Sequence, residues 1–246
     1  MARLSVNLNK IALLRNSRRT GVPDLAQFAQ LALTSGAAGI TVHPRPDERH
    51  IRRSDVALLA DLMKRDRPAK ELNIEGFPDE RLLDILRETR PEQCTLVPDA
   101  EDAFTSEEGW KLDDRQSGEL RSFIAEIKAL GCRTILFVDP DAAVVARVRP
   151  VGADGIEIYT GAYAAAFREG THPTLLRAIT ETALAARDLG LVVNAGHDLN
   201  LLNIPPLIEA IPFLAEASIG HELTADALAN GFAATVAAYA RALNPP

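Results

Sequence analysis

The sequence predicts an α/β fold, a TIM (β/α)8 barrel with additional short helices that forms one domain over residues 1–246, and three observations carry that expectation. Short β-branched or apolar runs recur eight times, segments with helical spacing follow them, and Gly closes several of those segments just before the next run. Eight strand-then-helix units in 246 residues is the arithmetic of this barrel. The alternative, an open doubly wound sheet, usually carries a Gly-rich phosphate turn after its first strand, and "SVNLNKIALL" has none.

Strands are expected at 3–7 (RLSVN), 39–43 (GITVH), 71–75 (ELNIE), 94–98 (CTLVP), 134–138 (TILFV), 155–159 (GIEIY), 191–195 (LVVNA) and 216–220 (EASIG). Most are apolar along their length, as in a parallel sheet covered on both faces. Helical spacing runs over 24–35, 54–65, 79–89, 117–130, 141–149, 173–189, 205–211 and 222–243. Ser54 and the Pro78–Asp79 pair are start signals, and Gly in "LTSGAAGI", "IKALGCRT" and "ARDLGLVV" permits the left-handed backbone that ends a helix. "GAAGI" before strand two and "GADGI" before strand six echo one another, as a repeated unit would.

Hydrophobic residues make up 47% of the chain and charged residues 25%, a soluble globular composition that excludes disorder. The formal charge of −7 argues against broad nucleic-acid binding, which needs a basic surface, so an anionic ligand must be met by local cations. Cys94 and Cys132 lie in or beside apolar runs, the setting of buried thiols in a reducing compartment. The N-terminus lacks the apolar core of a signal peptide, and no stretch reaches the roughly 20 apolar residues that cross a bilayer. A cytoplasmic location without a membrane partner is therefore expected.

In such a barrel the carboxyl ends of the strands converge on one mouth, so polar residues there meet even when distant in sequence. Strand one ends at Asn7, followed by Asn9, Lys10, Arg15 and Arg18; strand two ends at His43, followed by Arg45 and His50; strand three ends at Glu75. Glu157 lies within strand six, strand seven leads to His197, and strand eight closes on Gly220 and His221. Four of the five histidines occupy these ends, leaving His172 before a helix, which favours a site there. Glu75 is costly to bury unpaired, so it needs a partner or a raised pKa, and both suit a general base; a structural ion pair is the plainer reading. Glu157 alternates with apolar neighbours and is expected to point inward, as an orienting group or a direct electrostatic contact.

The forks of Arg18 and Arg45 match phosphate, as does a helix start after Gly220 and His221, while Arg15 and Arg19 are expected to be solvent-exposed. No H-x-H, H-E-x-x-H or Asp cluster is present, so metal-free acid/base chemistry is favoured and no cofactor is expected. Lys10 and Lys70 are poorly placed for Schiff-base chemistry. The acidic stretch 99–116, which holds Trp110, reads as a lid or as cover for a subunit contact.

"SVNLNKIALLRNSR", "GITVHPRPDERHI", "LNIEG", "CTLVPD", "FTSEEGW", "IEIYTGAYA", "VNAGHDLN" and "SIGHEL", in this order, together resemble the pyridoxine 5'-phosphate synthase family. The resemblance implies a homo-octameric barrel that condenses 1-deoxy-D-xylulose 5-phosphate with 3-amino-2-oxopropyl phosphate, giving pyridoxine 5'-phosphate, phosphate and water without metal or cofactor. By motif, His43 and Glu75 resemble the family's proton acceptors, His197 its proton donor and Glu157 its transition-state stabiliser. Asn7, Arg18, Asp198, Gly220 and His221 match positions that hold the aminoketone phosphate. Asn9, Lys10, Arg45, His50 and Thr105 match positions that hold the sugar phosphate. The chain departs from the family pattern in reading "NLNK" for N-x-D-H, in Asp198 for a common Gly and in Tyr159 for a frequent His. A phospho-sugar isomerase or aldolase, or an inactive binding barrel, are the competing readings.

Overall fold

The computed structural model describes residues 1–98 and 108–245. Strands β1 (Arg3–Asn7), β2 (Gly39–Val42), β3 (Glu71–Gly76), β4 (Gln93–Leu96), β5 (Arg133–Val138), β6 (Gly155–Tyr159), β7 (Val192–Gly196) and β8 (Glu216–Ile219) lie within two residues of their expected bounds. They close into a barrel in sequence order, every neighbouring pair parallel and β8 returning to β1.

The helices are α1 (Asn9–Asn16), α2 (Leu25–Thr34), α3 (Arg53–Met63), α4 (Glu80–Thr89), α5 (Asp114–Ala129), α6 (Ala142–Val145), α7 (Val148–Val151), α8 (Gly161–Arg168), α9 (Pro173–Asp188), α10 (Ile204–Ala210), α11 (His221–Asn230) and α12 (Phe232–Ala242). Side-chain caps explain several starts: Asp24, Asp79 and Asp113 accept the backbone N–H of Gln27, Leu82 and Gln116 at 3.0, 2.7 and 2.8 Å. Gly36, Gly131 and Gly190 follow α2, α5 and α9 with φ of +113°, +79° and +70°, the reversal their positions predict.

Four differences from expectation have local causes. Ser54 does not cap α3 but lies in its first turn, and Asp55 reaches back to accept the N–H of Arg52 at 2.8 Å. The segments after β1 and β6 form α1 and α8, which carry no side-chain cap to announce them. The span 141–149 forms two single turns, α6 and α7. The span 222–243 breaks at Gly231, whose φ of +81° no continuous helix accommodates.

The strands are not apolar on both faces. Because side chains alternate with a period of two, Arg3, Ser5 and Asn7 share one face of β1 while Leu4 and Val6 take the other, and Glu71, Asn73 and Glu75 do the same on β3. Their hydrogen bonds cross the barrel interior. Ser5 and Thr41 hydroxyls lie 2.7 Å apart, Thr95 donates to Asn73 at 3.1 Å, and Asn194 and Gln93 are joined at 3.3 Å. The apolar faces pack outward against the helices, so the main hydrophobic core is the layer between sheet and helices.

Trp110 is buried, with its indole N–H donating to the carbonyl of Leu96 at 2.9 Å and its ring stacked on Phe77, while residues 99–107 of the expected lid lie outside the described residues. Cys94 and Cys132 are buried free thiols, and burial pushes the Cys132 thiol up to about 12. No helix among the described residues is long and apolar enough to cross a membrane.

Candidate active site

A cavity of about 330 Å³ opens at the carboxyl ends of the strands. Asn7 from β1, Glu75 from β3 and Glu157 from β6 reach it from the strands themselves. His43, His197 and Gly220 reach it from the residues that directly follow β2, β7 and β8. Asn9 and Lys10 enter from α1, Arg45 and His50 from the β2–α3 loop, Asp198 from beyond β7 and His221 from the first position of α11. Each point of entry is a strand end or its following loop, where the parallel topology aims side chains at one mouth.

Arg18 is exposed and lies outside this cavity, although its fork was expected to meet phosphate. Thr105 lies outside the described residues. Arg15 is not solvent-exposed: it is buried, gives paired hydrogen bonds of 2.6 and 2.8 Å to Asp55 and donates to the carbonyl of His50 at 3.1 Å. The chain's pattern hides this because α1 inverts the usual arrangement, exposing Leu13 and Leu14 while burying Arg15.

His43 Nδ1 stands 3.8 Å from a Glu75 carboxylate oxygen, and that same oxygen accepts from Asn7 at 3.4 Å. Asn7 also accepts the N–H of Asn9 at 2.9 Å, and Asn9 accepts the backbone N–H of His43 at 3.0 Å. Asn9 therefore sets the position of His43 through a carbonyl oxygen, which an acid at this position would equally supply. Burial pulls the His43 pKa well below the usual imidazole value, and the positive fields of Arg45, His50, Arg81 and His197 add to it. His43 is thus neutral at rest and able to accept a proton.

Glu157 is the opposite case. Its carboxyl is 2% exposed, one oxygen has no hydrogen-bond partner among the described residues, and burial together with Glu75 and Glu216 raises its pKa well above the ordinary carboxylate value. The shift favours the protonated form, in which the carboxyl is able to donate a hydrogen bond. The adjacent strand comes close: a Cβ on Gly196 would fall on the Glu157 carboxyl, so glycine there lets the acid lie against the β7 backbone.

The cations gather on the β1–β2 side. Lys10, Arg45 and Arg49 line the cavity there beside the His50 imidazole, countering the chain's overall charge of −7 at the point where an anion would enter. His50 Nδ1 accepts the N–H of Ile51 at 2.9 Å, which leaves Nε2 as the ring's proton-bearing nitrogen. Burial, then Arg45, Lys10 and Arg49, lower its pKa to about 4, with Asp47 opposing them. Opposite, the His197 ring sits against Phe137 and Tyr159, centroids 5.4 and 5.3 Å away. Among the described residues no group of three His, Cys, Asp or Glu side chains is arranged to hold a metal ion.

Leu13, Arg49, Tyr159 and Ser218 also line the cavity and were not foreseen as site residues. Two of them were readable from the two-residue period, since Tyr159 follows Glu157 by two and Ser218 precedes Gly220 by two. Leu13 required α1 to be recognised as a helix. Arg49 is adjacent to His50, but adjacency in a loop sets no direction.

Residues 4–245 match the family described as pyridoxal phosphate biosynthesis protein PdxJ. A pyridoxine 5'-phosphate synthase from Albidiferax ferrireducens is 50% identical over 246 residues, covering 98% of this chain and 97% of the relative. Another of the same name, from a Chelativorans species, is 48% identical over 240 residues and covers 96% of each chain. Among solved structures, phosphoribosyl anthranilate isomerase from Thermotoga maritima superposes over the full length of both chains with a TM-score of 0.61 at 12% identity, a likeness of fold alone.

Proposed function

The chain belongs to the pyridoxal phosphate biosynthesis protein PdxJ family and is an enzyme, and on that premise we propose that it condenses 1-deoxy-D-xylulose 5-phosphate with 3-amino-2-oxopropyl phosphate to pyridoxine 5'-phosphate, phosphate and water. The observation that carries the reading is the meeting of His43, Glu75, Glu157 and His197 in one cavity, with the pKa of His43 and that of Glu157 shifted in opposite directions. Burial favours the neutral imidazole on one and the protonated carboxyl on the other.

Joining an amine to a ketone, closing a pyridine ring and expelling phosphate and water require protons to be taken and given at several atoms. His43 and Glu75 take them, His197 gives them to leaving oxygen, and Glu157 donates a hydrogen bond to charge that develops on a substrate oxygen. These residues perform the chemistry as acids and bases, without metal or organic cofactor. Lys10, Arg45 and His50 hold the sugar phosphate, and the start of α11 at Gly220 and His221, with Asn7 and the turn at Asp198, holds the aminoketone phosphate. Arg18 is exposed and does not line the cavity of its own chain. The enzyme works in the cytoplasm, as a homo-octamer.

Incubating the protein with both substrates and following pyridoxine phosphate absorbance together with phosphate release tests the reading. Stoichiometric appearance of both is expected, undiminished by a chelator. Absence of product at high enzyme concentration removes it, and borohydride trapping of a lysine would favour the aldolase alternative instead.

A further inference from the structure

After β7 the backbone leaves the barrel through two consecutive left-handed residues that are not glycine, His197 at φ +80° and Asp198 at φ +56°. Single residues of this kind are uncommon, and two in succession persist only where surrounding contacts hold them. Those contacts are side chains behind the cavity wall. The Thr160 hydroxyl lies 2.5 Å from the carbonyl oxygen of Gly196 and 2.6 Å from that of His197, sharing its proton between them, and the Thr160 N–H donates to Gly196 at 2.9 Å. Asn203 donates its side-chain N–H to the carbonyl of Asp198 at 3.1 Å, and the Tyr163 hydroxyl donates to the carbonyl of Asn203 at 2.8 Å.

Three successive carbonyls, 196 to 198, are therefore held by two side chains, and the second of these is braced by a third. Thr160, Asn203 and Tyr163 are all buried, and none lines the cavity. Because a trans peptide is planar, holding the carbonyls of His197 and Asp198 turns the N–H groups of Asp198 and Leu199 the opposite way. It also fixes the Cα–Cβ direction of His197, and with it the ring against Tyr159 and Phe137.

We infer that Thr160, acting beside Asn203 and its brace Tyr163, is a positioning residue that holds the reversed turn and so aims the His197 imidazole into the cavity. The role rests on the proposed reaction only for its kinetic consequence. β6 supplies Glu157, and Thr160, the residue directly after that strand, supplies the hydroxyl that places His197, so one short segment positions two groups that line the cavity.

Thr160→Val keeps the side chain's shape and removes the hydroxyl, whereas Thr160→Ser keeps the hydroxyl. In the valine variant kcat is expected to fall about a hundred-fold, as for an ångström-scale misplacement, with the KM for the sugar phosphate unchanged. Thr160→Ser should recover most of that loss. In the ligand-free protein the His197 ring resonances should shift or broaden in the valine variant and return to the wild-type position in the serine variant. Tyr163→Phe, which removes only the brace, should give the same pattern more weakly, and serves if the valine variant does not fold. Wild-type kcat and unchanged His197 resonances in the folded variants overturn the inference. If the wild-type protein makes no product while its His197 resonances still respond to Thr160, the proposed reaction fails and the positioning role stands.

Discussion

At the amino-terminal end of the barrel Glu71 accepts hydrogen bonds of 2.5 Å from both Arg3 and Arg133, while at the carboxyl end Glu75 faces His43 across 3.8 Å and Glu157 keeps a buried oxygen without a hydrogen-bond partner among the described residues. The arginines hold the Glu71 carboxyl below the usual range against the burial that opposes them. Glu216, beside them, is bonded to Gln93 at 3.0 Å, yet burial and Glu71 still push its pKa up to about 7. The same residue type therefore closes an arginine-braced cluster at one end and lines the cavity at the other. Ionic groups whose partners are fixed contribute to a rigid framework, whereas a buried carboxyl oxygen with no hydrogen-bond partner among the described residues, as on Glu157, has capacity left for a substrate.

Three substitutions break or sharpen this contrast, and they differ in size. At the mouth, His43→Ala should lower kcat by about a thousand-fold, the scale of general acid–base catalysis, without moving the thermal midpoint beyond a few degrees. An equal loss of stability would place His43 in the framework instead. At the opposite end the effect is on folding. Glu216 has a folded pKa raised from 4.5 to about 7, so the folded state binds more protons and stability falls as pH rises from 4.5 toward 7. The slope from this one group is at most about 1.4 kcal/mol per pH unit, and Glu216→Gln should remove it in denaturant titrations across that window. A slope unchanged by the substitution would show that Glu216 titrates normally.

The smallest effect belongs to Glu71. Because Arg3 and Arg133 are each about a third exposed, solvent screens the loss, and Glu71→Gln should cost about 1–2 kcal/mol at neutral pH with kcat unaltered. The sign is opposite to that of Glu216. The lowered pKa of Glu71 gives stability that is present above 4.5 and lost as pH falls through its folded value, so the variant and the parent should converge in acid. A drop in turnover at unchanged KM would instead tie the two ends of the barrel together.

Much of this organisation is legible in the chain. The strands are short, β-branched and separated by helical spacing, so their number and approximate bounds follow from periodicity. His43 and His197 stand immediately beyond strands, where the topology leaves few directions to point. The elements that were missed lack such signals. α1 has no side-chain cap and exposes Leu13 and Leu14, and α8 is eight residues long with no cap. Arg15 and Arg18 are chemically alike and three residues apart, yet one is buried against Asp55 and the other exposed, because Arg15 lies in the last turn of α1 and Arg18 beyond its end at Asn16.

The sequence by itself determined the barrel, the order of its strands and the residue types that stand at its mouth, since these depend on local pattern and on a topology with one open working end. Tertiary structure alone decided how the pKa values of those groups shift. The lowering at His43 and the raising at Glu157 arise from burial and from neighbours contributed by other strands and loops, and no periodicity records that field. It also decided that Thr160 and Asn203 meet the turn after β7. A hydroxyl just beyond the end of β6 finds a carbonyl 36 residues away only once the barrel has closed.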